Sequence, residues 1–449
     1  MPPSAPSTDS GYVAEYGDYF PKELEDLLLE SQKAYKNVPA RPDYPEKAVP
    51  MGWPAQLPPS LMVWDAGTFP TDGSHEVQLS EEDVSEIDEA LKAVEEKSLP
   101  PSAINKASFP LPRLGPRLDA ACRSVHFGLG LSFVRGIPTR KYTDEQNVIV
   151  LLGVSSYFGE TRGRQRNDGA RLIHIFHAAS RNLPETLSAI FNNHAQLFHN
   201  DIATDLLAMY CRSAAAVGGE STFASFPRIY NHLALHHPEM IHTLAAPDWP
   251  FDRYGYNPPF HTRPLLFHLP GNDTDDDDDE EMEAEDGDKT PTATTPRATT
   301  PTIPNTIDTD NHTGRILVSL SPRLLSGSKI HPRPTAIPPL TPPQHAALAE
   351  IEAAAKKYSI TTTLAAGDIV FLNNLTVLHG RTAYKDSPSL PASSHRHIMR
   401  LFLRNEELAW PIPRPLLLDW ARVFGDPDDK ELWVADNIRD YRAQFRRRG

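Results

Sequence analysis

The C-terminal third of the chain alternates apolar and polar residues with the period of two that is typical of β-strands. Residues 361–381 have the sequence TTTLAAGDIVFLNNLTVLHGR, in which turn signals at 367–368 and 373–374 separate the apolar segments. Residues 395–404, HRHIMRLFLR, alternate over their whole length. The helical pattern HAALAEIEAAAKKY precedes both segments. This part of the sequence therefore predicts a mainly β core with helices packed around it.

Earlier parts of the chain add further strands and helices. Short apolar segments predict buried strands at residues 171–176, 205–211 and 315–320. Ser80, Thr143 and Thr341 stand directly before helical patterns and are predicted to be N-cap residues. Gln146 and Gln344 follow the two threonines by three positions, and this spacing is typical of a capping box.

The chain divides into an irregular N-terminal part and a larger domain. Residues 1–110 combine proline-rich loops with short helical patterns, so they are predicted to form an extension that packs on the core. Residues 111–449 are predicted to form one domain. Within it, residues 271–312 hold an Asp/Glu block followed by Thr-Pro repeats. Because so few apolar side chains cannot offset the chain entropy, this segment is predicted to be a disordered insertion.

The same insertion explains most of the net charge of −15. It contains 14 acidic and 2 basic residues, so the rest of the chain is nearly neutral. A nearly neutral chain has no broad basic face, which argues against a nucleic-acid partner. No apolar stretch of about 18 residues is present, which argues against a membrane-spanning helix. Cys122 and Cys211 cannot form a disulfide framework, so a cytoplasmic location is predicted.

The residues that can carry chemistry begin in AQLFHNDIATD, at 195–205. On an extended segment, His199 and Asp201 point to the same side and can reach one metal ion. His379, at the end of the predicted strand VLHGR, can supply a third ligand. Two histidines and one carboxylate form the facial triad of non-haem Fe(II) oxygenases, which leaves coordination positions open. The sequence therefore predicts an iron site at these three residues.

Two arginines on the last predicted strand complete this site. Arg396 and Arg400 are four residues apart, so they share one face with Ile398. A guanidinium group binds a carboxylate through two parallel hydrogen bonds and keeps its charge. One arginine could hold the distal carboxylate of 2-oxoglutarate, and the other could hold an acidic substrate.

Four motifs occur together and in a fixed order: HND at 199–201, GGES at 218–221, GDIVFLNNLTVLHGR at 367–381 and RHIMR at 396–400. Through them the chain resembles the taurine dioxygenase-like family, most of all its fungal-type branch, over roughly residues 110 to 410. The resemblance implies the double-stranded β-helix, or jelly roll, of the clavaminate synthase and taurine dioxygenase type. It also implies Fe(II) as the cofactor, with 2-oxoglutarate and O2 as cosubstrates.

The resemblance gives individual positions a role. The three predicted metal ligands match the iron ligands of the family, and Arg396 matches the arginine that binds the distal carboxylate of 2-oxoglutarate. Ser221 falls where a Ser or Thr assists the same carboxylate, and Arg400 falls where taurine dioxygenase holds the sulfonate of its substrate. The implied enzyme hydroxylates, desaturates or cyclises a small anionic molecule, such as one of secondary metabolism, and releases succinate and CO2.

Other interpretations of the same residues stay open. A metal-dependent hydrolase on this fold would use the three metal ligands, but it gives the paired arginines no role. A non-catalytic protein could act through the acidic insertion. His232 and His236 have the i, i+4 spacing of a helical zinc pair, but no acidic or third ligand accompanies them in the sequence. They are therefore predicted to be solvated helix positions.

Overall fold

A computed structural model of the chain describes residues 28, 31, 47–166, 169–181, 189–253, 258–271, 314–327, 332–391, 394–425 and 433. The predicted insertion, apart from Gly271, lies outside the described residues, and so do residues 1–27. None of the described helices is long and apolar enough to cross a membrane.

Short strands and helices alternate along the described chain. The α-helices are α1 (Glu81–Glu96), α2 (Gly115–Phe127), α3 (Asp144–Ser156), α4 (Phe226–His236), α5 (Pro238–Ala245), α6 (Pro322–Ser326), α7 (Pro342–Tyr358) and α8 (Leu417–Phe424). The strands are β1 (Glu76–Gln78), β2 (Leu131–Arg135), β3 (Thr161–Gly163), β4 (Leu172–Phe176), β5 (Gln196–His199), β6 (Leu206–Ser213), β7 (Val217–Gly218), β8 (Ser221–Ser225), β9 (Trp249–Asp252), β10 (Phe260–Arg263), β11 (Leu266–Leu269), β12 (Arg315–Val318), β13 (Ile360–Thr362), β14 (Ile369–Asn373), β15 (Val377–Arg381), β16 (Tyr384–Lys385) and β17 (His397–Arg404).

The larger of two main sheets has seven strands in the order β1-β2-β14-β6-β17-β3, with β4 also paired to β17. The strands are antiparallel, except that β1 pairs with β2 in parallel. On β17, Arg400 lies opposite Met209 of β6 on one side and Ile173 of β4 on the other. The strand that carries Arg400, and that Arg396 immediately precedes, is therefore an interior strand of this sheet.

The smaller main sheet has four antiparallel strands in the order β13-β8-β15-β5. Its strand β15 lies between β8 and β5, so His379 pairs with Phe223 on one side and with His199 on the other. This sheet therefore carries two of the three predicted metal ligands.

Three apolar layers hold the sheets and helices together. The first lies between the sheets, where Phe133 and Leu207 of the larger sheet meet Phe223 and Val377 of the smaller one. The second joins the outer face of the larger sheet to α1, α2 and α3, and the third joins the outer face of the smaller sheet to α4, α5 and α7. Two stacked antiparallel sheets covered by helices confirm the predicted jelly roll.

The predicted helix starts and strands are confirmed. Ser80, Thr143 and Thr341 each accept a hydrogen bond from the backbone N–H three residues later, and the side chain there returns a bond. Such a box satisfies two N–H groups that the first helical turn leaves unpaired. The predicted buried strands correspond to β4, β6 and β12.

The two turns in the C-terminal third do not close hairpins. β13 and β15 lie in the smaller sheet, whereas β14 between them lies in the larger one, so each turn carries the chain from one sheet to the other. At the first turn, Gly367 has a φ of +99°, and a side chain there would lie 2.0 Å from the carbonyl oxygen of Ile137. Glycine is needed at this crossing because any Cβ would collide with the backbone.

Candidate active site

Two histidines face each other on neighbouring strands of the smaller sheet. His199 ends β5, His379 lies within β15, and the antiparallel register pairs them directly. Paired residues project from the same face of a sheet, and the two ring centroids are 4.3 Å apart. The Nδ1 atom of His199 lies 2.8 Å from the carbonyl oxygen of Leu197. This contact makes Nδ1 the N–H donor and leaves the lone pair of Nε2 for a ligand.

His379 projects between the two sheets, on the face of β15 that also carries the buried Val377. Its burial, followed by the nearby His199, lowers its pKa to about 3, so the ring is neutral at pH 7. Its Nδ1 is buried without a hydrogen-bond partner among the described residues, and its Nε2 lies 3.8 Å from Oδ2 of Asp201. A neutral imidazole with an unused nitrogen can bind a metal ion without first losing a proton.

Asp201 follows β5 in a turn that is held by side-chain hydrogen bonds. Asn374 accepts a bond from the N–H of Asp201 at 2.9 Å and donates one to its carbonyl oxygen at 2.6 Å. The intervening Asn200 accepts from the N–H of Leu320 at 2.6 Å. Two residues after Asp201, Ala203 has a φ of +58°, which residues other than glycine seldom adopt. The turn that follows β14 thus fixes the backbone of the predicted carboxylate ligand.

The carboxylate of Asp201 is paired with Arg400. Nη1 of Arg400 lies 2.9 and 3.1 Å from the two carboxylate oxygens, and its Nε donates to Oε1 of Gln165 at 2.8 Å. Burial by itself would raise the pKa of Asp201, but the charge and hydrogen bond of Arg400 together with the neighbouring His379 and His199 hold that pKa below its ordinary value. Within the described chain, the Nη2 group of Arg400 makes no hydrogen bond.

Arg396 immediately precedes β17, and only 6% of its surface is exposed. Its backbone N–H donates to Oδ1 of Asp386 at 2.8 Å, and its guanidinium carbon lies 5.0 Å from the ring centre of Tyr384. Its Nη1 group is buried without a hydrogen-bond partner in the part of the chain that the structure describes. A buried N–H group without an acceptor is costly, so the Nη1 side of this guanidinium is suited to bind an anion.

The GGES motif packs against Arg396. Gly218 and Gly219 have φ values of +74° and +80°, and a side chain at Gly219 would lie 3.3 Å from Nε of Arg396. The hydroxyl of Thr382 accepts hydrogen bonds from the N–H groups of Gly219 and Glu220, at 3.0 and 3.1 Å. The two glycines thereby let the backbone approach the buried guanidinium closely.

Ser221 begins β8, is 6% exposed, and pairs with Arg381 of β15. Arg381 itself donates from Nη2 to the carbonyl oxygens of Asn192 and His194, at 2.9 and 2.6 Å, so it holds the chain before β5. Among the described contacts, no hydrogen bond joins the hydroxyl of Ser221 to Arg396. The role of Ser221 stays a prediction.

The structure thus places His199 and Asp201, both half-buried, next to the buried His379, with Arg400 against Asp201 and Arg396 beside the GGES motif. Sequence reasoning missed the contacts of Asn374, Gln165 and Tyr384. Asn374 was visible only as part of a turn signal, and the other two lie in no motif. Only the packed sheets bring them to the site.

One expectation about the other histidines is wrong. The helix α7 packs against α4 and brings Oε1 of Glu350 to 3.1 Å from Nε2 of His232. His237, between α4 and α5, lies near the same carboxylate. An acidic residue therefore does accompany His232, whereas His236 is exposed as predicted. Glu350 lies 118 residues after His232, so spacing along the sequence gives no sign of it.

A double-stranded β-helix with two histidines and a carboxylate clustered on its smaller sheet is typical of Fe(II)/2-oxoglutarate-dependent dioxygenases. Comparison with known proteins gives the particular family. Residues 95–402 match the family model described as taurine catabolism dioxygenase TauD, TfdA family. The chain belongs to this family. It is a 2-oxoglutarate-dependent dioxygenase, its cofactor is Fe(II), and its cosubstrates are 2-oxoglutarate and O2.

One relative matches most of the chain, and another matches a smaller part of it. The taurine hydroxylase-like protein SAT17 of Stachybotrys chartarum is 29% identical over 379 residues, which cover 83% of this chain and 86% of the relative. The FR-33289 synthase of Streptomyces rubellomurinus is 30% identical over 176 residues, which cover 39% of this chain and 51% of that protein. The crystal structure of an asparagine oxygenase with Fe(II), 2S,3S-3-hydroxyasparagine and succinate has a similar fold. Its TM-score is 0.50 at 16% identity, over 73% of this chain and 93% of that one.

Proposed function

We propose that this dioxygenase oxidises an unactivated C–H bond of a small anionic molecule, by hydroxylation or by related desaturation or ring formation, and releases succinate and CO2. In this proposal His199, Asp201 and His379 hold the iron, and Arg396 holds 2-oxoglutarate. One observation carries it: two in-register histidines lie beside a buried carboxylate, in a fold that also buries a guanidinium with an unused N–H group.

The donor set fits the cofactors of the family. Two imidazoles and one carboxylate suit Fe(II) and would leave coordination positions open for other ligands. Nε2 of His379 faces the carboxylate of Asp201 and could bind a metal ion together with it. Arg396 has a buried Nη1 group without a partner in the described chain, and the distal carboxylate of 2-oxoglutarate would satisfy it.

The residues of the chain contribute placement, charge and apolar surroundings. Fe(II), together with 2-oxoglutarate and O2, supplies an oxidant able to attack an unactivated C–H bond. Arg396 orients the cosubstrate through its distal carboxylate, and Arg400 keeps Asp201 ionised and in one position. Phe223 pairs with His379, and the ring centre of Phe402 lies 5.0 Å from the guanidinium carbon of Arg400, so both apolar rings adjoin the site.

Arg400 supports an anionic substrate. Its Nη1 and Nε groups are engaged by Asp201 and Gln165, whereas Nη2 is left for a carboxylate or sulfonate. The names of the relatives agree with this class, because taurine is a sulfonate and asparagine carries a carboxylate. Arg400 would then bind the substrate and a metal ligand at the same time.

The first experiment tests the iron site. Anaerobic addition of Fe(II) and 2-oxoglutarate to the metal-free protein should produce the weak visible absorption of the iron chelate. The variant His199→Ala should lose this absorption, because it removes one of the three ligands. His345→Ala, which changes an exposed histidine on α7, is the matched control and should keep it.

Absence of the band in the wild-type protein, or its survival in His199→Ala, would show that the proposed ligands are wrong. With the site established, succinate release should be followed across amino acids, sulfonates and other small acids. A substrate that carries no acidic group and is oxidised equally well by an Arg400→Gln variant would exclude the proposed substrate class.

The two alternatives are not favoured. A zinc hydrolase on this fold would act without O2 or 2-oxoglutarate, and it gives the buried guanidinium of Arg396 no partner. A purely non-catalytic role conflicts with membership of a dioxygenase family.

A further inference from the structure

A second group of metal-binding side chains lies outside the oxygenase site, on the helices that cover the smaller sheet. His232 is on α4, His237 lies between α4 and α5, and Glu350 is on α7. Each offers one donor atom, and all three donors lie within 4.8 Å of one another. Within the described ranges, this is the one group of three or more His, Cys, Asp or Glu donors with that closeness.

The distances suit a single small cation. Oε1 of Glu350 lies 3.1 Å from Nε2 of His232 and 4.0 Å from Nε2 of His237. In a tetrahedral zinc site, bonds of about 2.0–2.1 Å place neighbouring donor atoms about 3.3 Å apart. The two observed distances lie on either side of this value, so small side-chain movements would complete the coordination.

The second nitrogen of each imidazole also has a partner. The hydroxyl of Tyr358 lies 3.2 Å from Nδ1 of His232, and Oε1 of Glu239 lies 3.5 Å from Nδ1 of His237. Histidines that bind metals typically use the outer ring nitrogen in this way, because the contact fixes the tautomer and the orientation of the ring.

The position in the fold favours a cation as well. His237 is both the C-cap of α4 and the N-cap of α5, so it lies at the junction that faces α7. His232 and Glu350 are only partly exposed, with 11% and 27% of their side-chain surfaces accessible, and His237 is exposed to 37%. The group is therefore ordered by the packing of α4 against α7 and is still open to an ion from solvent.

We propose that His232, His237 and Glu350 bind one Zn²⁺ ion, which joins the α4–α5 junction to α7. Two imidazoles and one carboxylate are a usual zinc donor set, and they leave a fourth position for water. The ion fastens the helical layer that supports β8 and β15, separately from the iron.

The experiment uses the full chain with the oxygenase site disabled by His199→Ala and Asp201→Ala, so that this site cannot take up zinc. After removal of metal, this parent protein is dialysed against Zn²⁺, and the bound metal is measured. We expect one equivalent in the parent. His237→Ala and Glu350→Gln should each weaken binding by about 100-fold or more, since each removes a ligand. Tyr358→Phe, which removes only an outer contact, should weaken it about 10-fold.

Two controls distinguish a specific zinc site from loss of folding and from non-specific zinc binding. His345→Ala changes an exposed histidine on the same helix as Glu350 and should leave zinc binding unchanged. In EDTA all variants should melt within a few degrees of the parent. Zn²⁺ at 100 times its Kd should raise the Tm of the parent by about 3 °C, and this rise should disappear in His237→Ala.

A parent protein that binds no zinc overturns the proposal. So does binding that His237→Ala and Glu350→Gln leave within twofold of the parent. Either result leaves the iron chelate test unaffected, because that test uses the wild-type site at His199.

Discussion

At the scale of single residues, Arg396, just before β17, and Arg400, within β17, have different contacts. Two nitrogen groups of Arg400, Nε and Nη1, donate to Gln165 and Asp201, and the charge of Arg400 favours the ionised form of Asp201. Arg396 keeps a buried N–H group without a partner in the described chain. Arg400 therefore holds Asp201 and has only Nη2 left for a ligand, whereas the buried Nη1 group of Arg396 still needs an acceptor.

Arg396→Gln should therefore weaken binding of 2-oxoglutarate and leave the fold intact. Loss of one partner of a buried charge pair costs about 2 kcal/mol or more, which corresponds to at least about 30-fold in Kd. The Kd is measured by titrating 2-oxoglutarate into the anaerobic Fe(II) protein and following the chelate absorption.

Arg404→Gln is the matched control for this change. Arg404 is on the same strand but pairs with Asp205, at 2.9 Å, away from the GGES motif. It should lower stability without changing the Kd for 2-oxoglutarate more than about twofold. An unchanged Kd in Arg396→Gln would show that the cosubstrate is held elsewhere.

At the scale of elements, the capping box of α7 fixes the start of a helix whose side chains contact residues far away in the sequence. Its N-cap Thr341 and Gln344 form a capping box, and Ile351 and Ala355 of the helix are buried in the layer over the smaller sheet. The same helix presents Glu350 to α4 and Glu352 to β5, whose Phe198 N–H donates to Oε2 of Glu352 at 3.0 Å. The residue at which α7 begins therefore determines where Glu350 meets α4 and where Glu352 meets β5.

Thr341→Ala should lower the free energy of unfolding by about 1 kcal/mol, because it removes the acceptor for the first-turn N–H group. Urea denaturation followed by circular dichroism measures the change. Thr71→Ala, at an exposed loop threonine, should change it by less than about 0.5 kcal/mol. Equal effects of the two changes would mean that the cap of α7 contributes nothing to stability.

At the scale of the whole molecule, the chain tolerates a long insertion because its two ends lie together. β11 and β12 pair antiparallel, so Leu269 lies opposite Arg315. The backbone N of Gly271 lies only 3.1 Å from where a side chain at Gly314 would be. A loop whose ends are already held adds little to the entropy cost of folding as it lengthens.

Deletion of residues 272–312 should therefore leave the fold and the iron site intact, because four residues remain to connect β11 to β12. We expect the Tm to change by less than about 2 °C and the chelate absorption and succinate release to stay the same. A large fall in Tm would show that the segment packs on the domain. Loss of binding to a cellular partner, with succinate release unchanged, would assign the segment a regulatory role.

The N-terminal part of the chain also joins the core. β1 pairs with β2 in the larger sheet, and α1 packs on its outer face. Trp64 is buried in the layer between the sheets, where its Nε1 donates to the carbonyl oxygen of Leu129 at 2.9 Å. The boundary at residue 110 stays a prediction.

The sequence by itself determined the features that depend on neighbours along the chain. The capping residue Thr143, the alternation of β17 and the spacing of His199 and Asp201 are local, because hydrogen bonds and side-chain directions repeat within a few residues. Family motifs added His379 and Arg396 as candidates.

The tertiary structure alone decided which distant residues meet. β13, β14 and β15 follow one another in sequence, yet they alternate between two sheets, and this crossing puts His379 opposite His199. The same packing brings the guanidinium of Arg400 to the carboxylate of Asp201 and the carboxylate of Glu350 to the imidazole of His232. Such contacts depend on the fit of whole layers, and a pattern of period two or 3.6 does not specify the partner of each element.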